Sequence, residues 1–431
     1  MSDPIIAAYA IEAEEYAPRT VLAGAIGNMI EWYDWTVYGL LAGVFARSIF
    51  PANDPTSSII AALLTFALGF LMRPIGSIVL SPMADRYGRR QILSLTILLM
   101  GLGSLIVALT PSYASIGIAS PLLILLARLL QGFSAGAEFQ SSTVFLVEHA
   151  PVRRRAFIGS SQLVSIGIAV LLATGVSALT TNLIPQPALG SWGWRLPFLL
   201  GALISLYGLW IRLGLPETPP FVAMEQRGEK AQRPMFEAFR LHPRETLFVF
   251  SVQVTTVMFY TWTVFLPTYA NLAGKLPLSQ GLIGGTISLV VFCVAVPAAA
   301  ALSDRIGRKP LLIGSAFGFL VLAWPMFSAL GNGDFLTFLV VDIVGCTLIA
   351  MIDSVMPALF CELFPTRVRT SGIGVPYQVA SAIFSGTAPL IAAWFVRNGQ
   401  PLGIAWYVMA VGLVCGVVFC MMPETRGRAL G

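Results

Sequence analysis

Glu31 and Asp34 stand one helical turn apart in an apolar stretch, with Asn28 and Tyr38 on the same stripe. Arg73 and Arg128 lie in two further apolar stretches. Ionisable side chains in such places cost about 2.5–3.5 kcal/mol each on insertion scales, which makes them candidates for moving protons or charged solutes. A carboxylate beside a guanidinium favours its charged form, and one alone in apolar surroundings favours its neutral form. Moving Arg128 toward or away from Asp34 would therefore switch the acid between releasing and holding a proton. The competing reading is a permanent bridge that only ties two helices together, and Glu31 is a rival proton carrier.

At about 1.5 Å per helical residue, Asp34 lies roughly 21 Å from the inner end of its stretch and Arg128 roughly 13 Å from the outer end of its own. Both thus fall in the outer half and can pair. Arg73 falls near the midplane, where its fork suits a substrate carboxylate, or Glu31 or Glu138 in a structural network. Gln131 and Glu138 share a face of one helix. Polar stripes recur at Gln162 and Ser165, at Gln253, Thr256, Tyr260 and Thr263, and at Gln378, Ser381 and Ser385. One such stripe is ordinary helix packing, but several point to a polar central cavity. Arg73, Gln131, Glu138, Gln162, Tyr260 and Gln378 are its candidate substrate contacts. Asp342 and Asp353, three turns apart on one face, complicate the picture. They would repel an anion unless protonated or paired. They could instead meet a cationic group on a zwitterion or form a second proton site, or Asp342 could lie at the outer end.

The elements that hold these residues are membrane helices. Of 431 residues 56% are hydrophobic and only 11% charged, and the mean hydropathy is +0.80, too apolar for a water-facing surface. Stretches of about 20 apolar residues recur along the chain, each long enough to cross a ~30 Å hydrocarbon core. In lipid they must be helices, since each backbone polar group needs an internal partner. The expected spans are 20–50, 58–82, 91–110, 119–146, 156–180 and 196–214, then 246–271, 281–302, 310–330, 335–361, 371–396 and 402–422. This is an all-α membrane protein of twelve transmembrane helices: a tail 1–19, a six-helix half 20–214, a linker 215–245, a second half 246–422 and a tail 423–431. The acidic N-terminus (Glu12, Glu14, Glu15) does not resemble a cleavable signal peptide. The cysteines, Cys293, Cys346, Cys361, Cys415 and Cys420, have neither metal-site nor disulfide spacing.

Lys and Arg set the orientation. With both termini cytoplasmic, the inner loops hold Arg86, Arg89, Arg90, Arg153, Arg154, Arg155, Arg305, Arg308, Lys309, Arg367 and Arg369, whereas the outer loops hold only Arg47, Arg195, Lys275 and Arg397. The net charge of +5 follows these loops and does not form a nucleic-acid surface. The halves also repeat. Asp85-Arg86-Tyr87-Gly88-Arg89-Arg90 returns as Asp304-Arg305-Ile306-Gly307-Arg308-Lys309, Glu148 with Arg153 and Arg155 returns as Glu362 with Arg367 and Arg369, and Pro216-Glu217-Thr218 returns as Pro423-Glu424-Thr425. Parallel six-helix repeats with a site between them are a transporter architecture. In the repeated loop the glycine permits a tight turn, and the acid can meet an arginine or a helix N-terminus across the halves. Asp85, Arg89, Asp304 and Arg308 are thus candidate members of a cytoplasmic gate, against the plainer reading of simple orientation charges.

These loops, with Arg128-Leu129-Leu130-Gln131-Gly132, resemble the major facilitator superfamily. Gly27-Asn28, Glu31-Trp32-Tyr33-Asp34, Tyr38-Gly39, the stretch from Gly69 to Gly76, Arg128 to Glu138, Trp192 to Phe198 and Glu362-Leu363-Phe364-Pro365 resemble its metabolite:proton symporter family over nearly the whole chain. Phe259-Tyr260-Thr261 to Tyr269 and Ala382-Ile383-Phe384 are most similar to the α-ketoglutarate permease and citrate–proton symporter branch. One departure is Ser81-Pro82-Met83-Ala84, where the family usually opens its loop motif with a glycine. The resemblance implies two six-helix bundles, and an Asp in span one with an Arg in span four acting as a proton-coupling pair, as in related proton–sugar porters.

The expectation is proton-coupled import, by alternating access across a bacterial inner membrane, of a small di- or tricarboxylate such as α-ketoglutarate or citrate. A zwitterion such as proline or a betaine is the alternative. Asp342 and Asp353 favour it, while the end of the chain just past span twelve counts against it, since the osmolyte branch carries a long extension. A membrane sensor that transports nothing is a third reading. An enzyme is not expected, since His149 and His242 have no nucleophile or metal spacing around them. The expected partners are substrate, protons and lipid, without nucleic acid or a cofactor beyond the proton, and the working unit is a monomer.

Overall fold

The computed structural model describes residues 18–51 and 55–430. The expected tail 1–19 lies almost wholly outside the described residues. Eleven described helices are long and apolar enough to cross a membrane. The remaining long helix, Pro18–Ile49, carries Glu31 and Asp34 among its apolar residues. Spans 1 to 6 are Pro18–Ile49, Pro55–Tyr87, Arg89–Leu109, Ala119–Glu148, Val152–Leu183 and Gly193–Leu213. Spans 7 to 12 are Pro243–Gly274, Leu278–Ile306, Lys309–Ala329, Phe335–Leu363, Thr366–Arg397 and Gly403–Met421.

Each expected span overlaps an observed one, and the departures have physical causes. Spans 2 and 8 run on to Tyr87 and Ile306, carrying Asp85 and Asp304 on their last turns. They stop at Gly88 and Gly307, whose φ of 114° and 107° strain any residue with a Cβ. The linker holds two short helices, Pro219–Gln226 and Pro234–Leu241, where only a polar connection was expected. Span 7 is interrupted, with a π-helical turn at Thr261–Phe265 just before Pro267. The proline lacks an N–H and its ring crowds the carbonyl of Thr263, and the wider turn accommodates both effects.

Lipid gives helices no hydrophobic reason to associate, so close backbone packing must do it. Spans 2 and 4 meet through glycines. A methyl group at Gly132 would overlap the Gly69 carbonyl, one at Gly76 the Phe133 carbonyl, and one at Gly136 the Arg73 carbonyl. This approach brings Arg73 and span 4 to the same depth. Leu64, Leu71, Leu203 and Val294 meanwhile present 61–68% of their surface to the outside, as a lipid-facing shell requires.

Candidate transport site

A cavity of about 60 Å³ lies between the halves. Its wall draws on spans 1, 2, 4 and 5 from one half and 7, 8, 10 and 11 from the other, corresponding members of the repeat. The first half supplies Asn28, Glu31, Trp32, Arg73 and Phe139. The second supplies Gln253, Thr256, Phe259, Tyr260, Phe292, Asp353, Tyr377 and Gln378. By volume the space suits a compact solute, on the order of five water-sized units.

Arg73 is the cation of this wall. Its guanidinium lies 2.9 Å from Glu31 Oε1 and remains 12% exposed. It stacks over Phe70 at 4.3 Å and Trp35 at 4.8 Å from the ring centroids, a geometry that suits a weakly hydrated planar cation. Of the two carboxylates the sequence offered Arg73, the structure selects Glu31. Gln378 also reaches the wall, and its Nε2 donates to the Ala135 carbonyl at 3.1 Å across the halves. Phe139 and Tyr377 stack at 4.3 Å, one ring from each half.

Asp34 and Arg128 meet, but away from the cavity wall. Arg128 Nη2 donates to Asp34 Oδ2 at 2.8 Å, with both side chains fully buried. Gln131 Nε2 donates to the same oxygen at 2.6 Å and Ser104 Oγ to Oδ1 at 2.6 Å. Arg128 also lies 4.3 Å from the centre of the Tyr38 ring. Glu31, one turn along the same helix, is the acid of span 1 that faces the cavity.

Three expected substrate contacts take other positions. Gln131 serves Asp34. Gln162 accepts from Thr143 Oγ1 at 2.7 Å and donates to the Phe139 carbonyl at 2.9 Å, behind the wall. Glu138 is held 2.5 Å from Arg212 of span 6, with Thr96 also donating to it. Arg212 had no place in the reading of the sequence, although a buried arginine in an apolar stretch was a signal that could have marked it. Asp342 and Asp353 also separate. Asp353 lines the cavity, whereas Asp342 is buried outside it, 3.7 Å from Cys346 Sγ.

The basic loops gather on one face and close it. Asp85 accepts from the Thr370 and Ser371 N–H groups at 3.0 and 2.8 Å, at the start of the span 11 helix. Its repeat mate Asp304 accepts from Ala156 and Phe157 N–H at 3.1 and 2.9 Å, near the start of span 5. Each carboxylate thus caps a helix of the opposite half, where the unpaired N–H groups and the helix dipole favour negative charge. Arg89 donates to the Thr366 carbonyl at 2.6 Å and Arg369 pairs with Glu148. Arg308 stays in its own half, on Asp304 at 2.8 Å and Glu362 at 2.9 Å. Ser81 of the departing loop motif contacts Gln140 Nε2 at 2.9 Å, and a methyl group on Gly374 of the other half would crowd both.

Two acids without an assigned role complete these loops. Glu217 accepts from the Arg89 and Arg90 N–H groups, both at 3.1 Å, and Glu424 from those of Arg308 and Lys309, both at 3.0 Å. They explain the glycines, because a Cβ on Gly88 or Gly307 would strike these carboxylates. Burial pushes Glu217 above its ordinary range. Burial acts the same way on Glu424, but N–H donors from Arg308, Arg426, Lys309 and Thr425 outweigh it and hold this acid below the usual 4.5.

A twelve-helix bundle with a central cavity between pseudo-symmetric halves defines a membrane transporter. The chain belongs to the sugar (and other) transporter family of the major facilitator superfamily, whose pattern it matches over residues 20–243 and 237–431. It is 33% identical to the glycine betaine/proline/ectoine/pipecolic acid transporter OusA of Dickeya dadantii, over 96% of this chain and 84% of that protein. It is 34% identical to the citrate-proton symporter of Salmonella typhi, over 96% and 97%. Among solved structures it superposes on the proton:xylose symporter XylE bound to 6-bromo-6-deoxy-D-glucose with a TM-score of 0.78, covering 96% and 97% at 20% identity.

Proposed function

We propose that this protein is a proton-coupled symporter that imports a small carboxylate-bearing metabolite across a bacterial inner membrane by alternating access. The observation that carries this reading is Arg73, a part-exposed guanidinium in the cavity wall already engaged with a carboxylate. A substrate carboxylate would take the place of Glu31 on it. The proton symporters among the relatives support the coupling. The excess of Lys and Arg on the closed face supports a cytoplasmic position for that face and for both termini.

In this reading Asp34 takes a proton from the outer side and gives it up to the cytoplasm, with Arg128 moving between the two states. Glu31 stands at the entry from the cavity. Substrate bound between the halves draws them together on the outer side, and the Asp85 and Asp304 caps release on the inner side. The working unit is the single chain, since one chain holds the whole cavity.

The cavity's charges narrow the solute. It holds one arginine and two acids, Glu31 and Asp353, too few cations for the three carboxylates of citrate. A solute with one carboxylate fits better. Uptake into proteoliposomes under an imposed inward proton gradient tests the reading. A panel of α-ketoglutarate, citrate, shikimate, proline and glycine betaine should include one solute that accumulates and is lost on adding a protonophore. Accumulation indifferent to the protonophore would overturn the coupling.

A further inference from the structure

Seven acids around the two gates and the proton pair have an arginine beside them. Glu31, Asp34, Asp85, Glu138, Glu148, Asp304 and Glu362 each lie within 3.4 Å of a guanidinium nitrogen. Asp353 does not. It is 8% exposed and lines the cavity, and no side chain or backbone group among the described residues pairs or hydrogen-bonds with its carboxylate. Pro357, four residues further along span 10, cannot donate to the Asp353 carbonyl either. An acceptor-rich, cation-free position therefore faces the cavity from the second half, while Arg73 faces it from the first. The rings of Trp32, Phe259, Tyr260 and Tyr377 line the same cavity.

We propose that Asp353 and these rings form a subsite for a cationic nitrogen, so that the substrate is a compact zwitterion. Its carboxylate meets Arg73, and its ammonium meets Asp353 and the aromatic faces. This deepens the symport reading and rests on it for the role of Arg73. A lone buried carboxylate is expensive unless paired, and an ammonium in a carboxylate- and ring-lined pocket gains from both charge and ring quadrupoles. The arrangement also couples binding to movement. Each half contributes one charge, so only a solute carrying both opposite charges ties the halves together.

The test uses the full-length protein in proteoliposomes, with glycine betaine, proline and 3,3-dimethylbutyrate, the last being the isosteric betaine analogue without the positive charge. The wild type should prefer glycine betaine or proline to 3,3-dimethylbutyrate by about tenfold or more, as expected for one desolvated charge contact. Asp353→Asn, which leaves no partner unpaired, should remove that preference by weakening only the zwitterion, and Asp353→Glu should recover part of it. Equal affinity for analogue and zwitterion in the wild type, binding of neither zwitterion, or a preference that survives Asp353→Asn would each overturn the subsite. The protonophore separates this outcome from the symport reading. Zwitterion binding without gradient-driven accumulation sinks the coupling and keeps the subsite, and gradient-driven accumulation of dicarboxylates alone does the reverse.

Discussion

Replacing Asp34 by Asn takes a charge away from a site where it has three donors and leaves Arg128 behind. Nε and Nη1 of Arg128 have no hydrogen-bond partner among the described residues, so Asp34 is the carboxylate that compensates this buried cation. Breaking a buried pair on one side costs about 3–5 kcal/mol, because the remaining charge is uncompensated. Asp34→Asn should thus lower thermal stability in detergent by several degrees as well as abolish gradient-driven accumulation. The single variant therefore cannot separate a coupling pair from a structural one. The double variant Asp34→Asn with Arg128→Gln can, since it removes both charges and with them most of the stability cost. If the pair carries the proton, the double variant folds, exchanges substrate across the membrane in counterflow, and accumulates none under an inward proton gradient. Accumulation to the wild-type level, still sensitive to a protonophore, would show that the pair only ties spans 1 and 4 together.

Glu138→Gln should leave the apparent affinity for substrate unchanged while destabilising by about 3–5 kcal/mol through the orphaned Arg212, measured by thermal unfolding and initial uptake rates. Arg73→Lys should raise the apparent KM about tenfold or more by removing the planar fork, with stability nearly unchanged; uptake at several substrate concentrations measures it. Asp85→Asn loses two charge-assisted bonds to span 11, each worth about 1.5–3 kcal/mol, and should open the closed face, measured by thiol labelling of a cysteine placed beneath the gate. The two loop caps should differ with pH. Glu424, held below 4.5, contributes stability that is present above that value and lost only as pH falls through its lower native value. Glu217, raised by burial, takes up its proton first as pH falls and so relieves its own burial cost. The stability gap between wild type and Glu217→Gln should therefore close at a higher pH than the gap for Glu424→Gln, as thermal melts between pH 7 and 4 would show.

Much of the architecture was readable in the chain because a bilayer allows so few solutions. An apolar stretch of the right length must be a helix, and its ends are marked by charge. The Asp34–Arg128 pair could be placed by counting residues at a fixed rise, and the Asp85 and Asp304 caps by their duplicated motif. Glu138 shows where such reasoning stops. Its position on span 4 was legible, but whether it faced the cavity or Arg212 depended on the rotation of span 4 against span 6, which glycine contacts between spans 2 and 4 help to fix. Gln131 and Gln162 turned away for the same reason, each drawn to a buried partner that lies far off in sequence.

Sequence alone determined the class: twelve helices, two repeated halves, basic loops on one side and a short set of ionisable residues inside the membrane. Hydrophobic length, loop charge and internal repetition are properties of single segments and survive without a fold. Tertiary structure decided which acids have partners. Seven carboxylates found arginines through packing between helices, whereas Asp342 and Asp353 did not, and of these two only Asp353 lines the cavity that Arg73 also lines. A buried charge is defined by what lies within a few ångströms of it, and that distance is set by helix rotation and packing, which spacing along the chain does not encode.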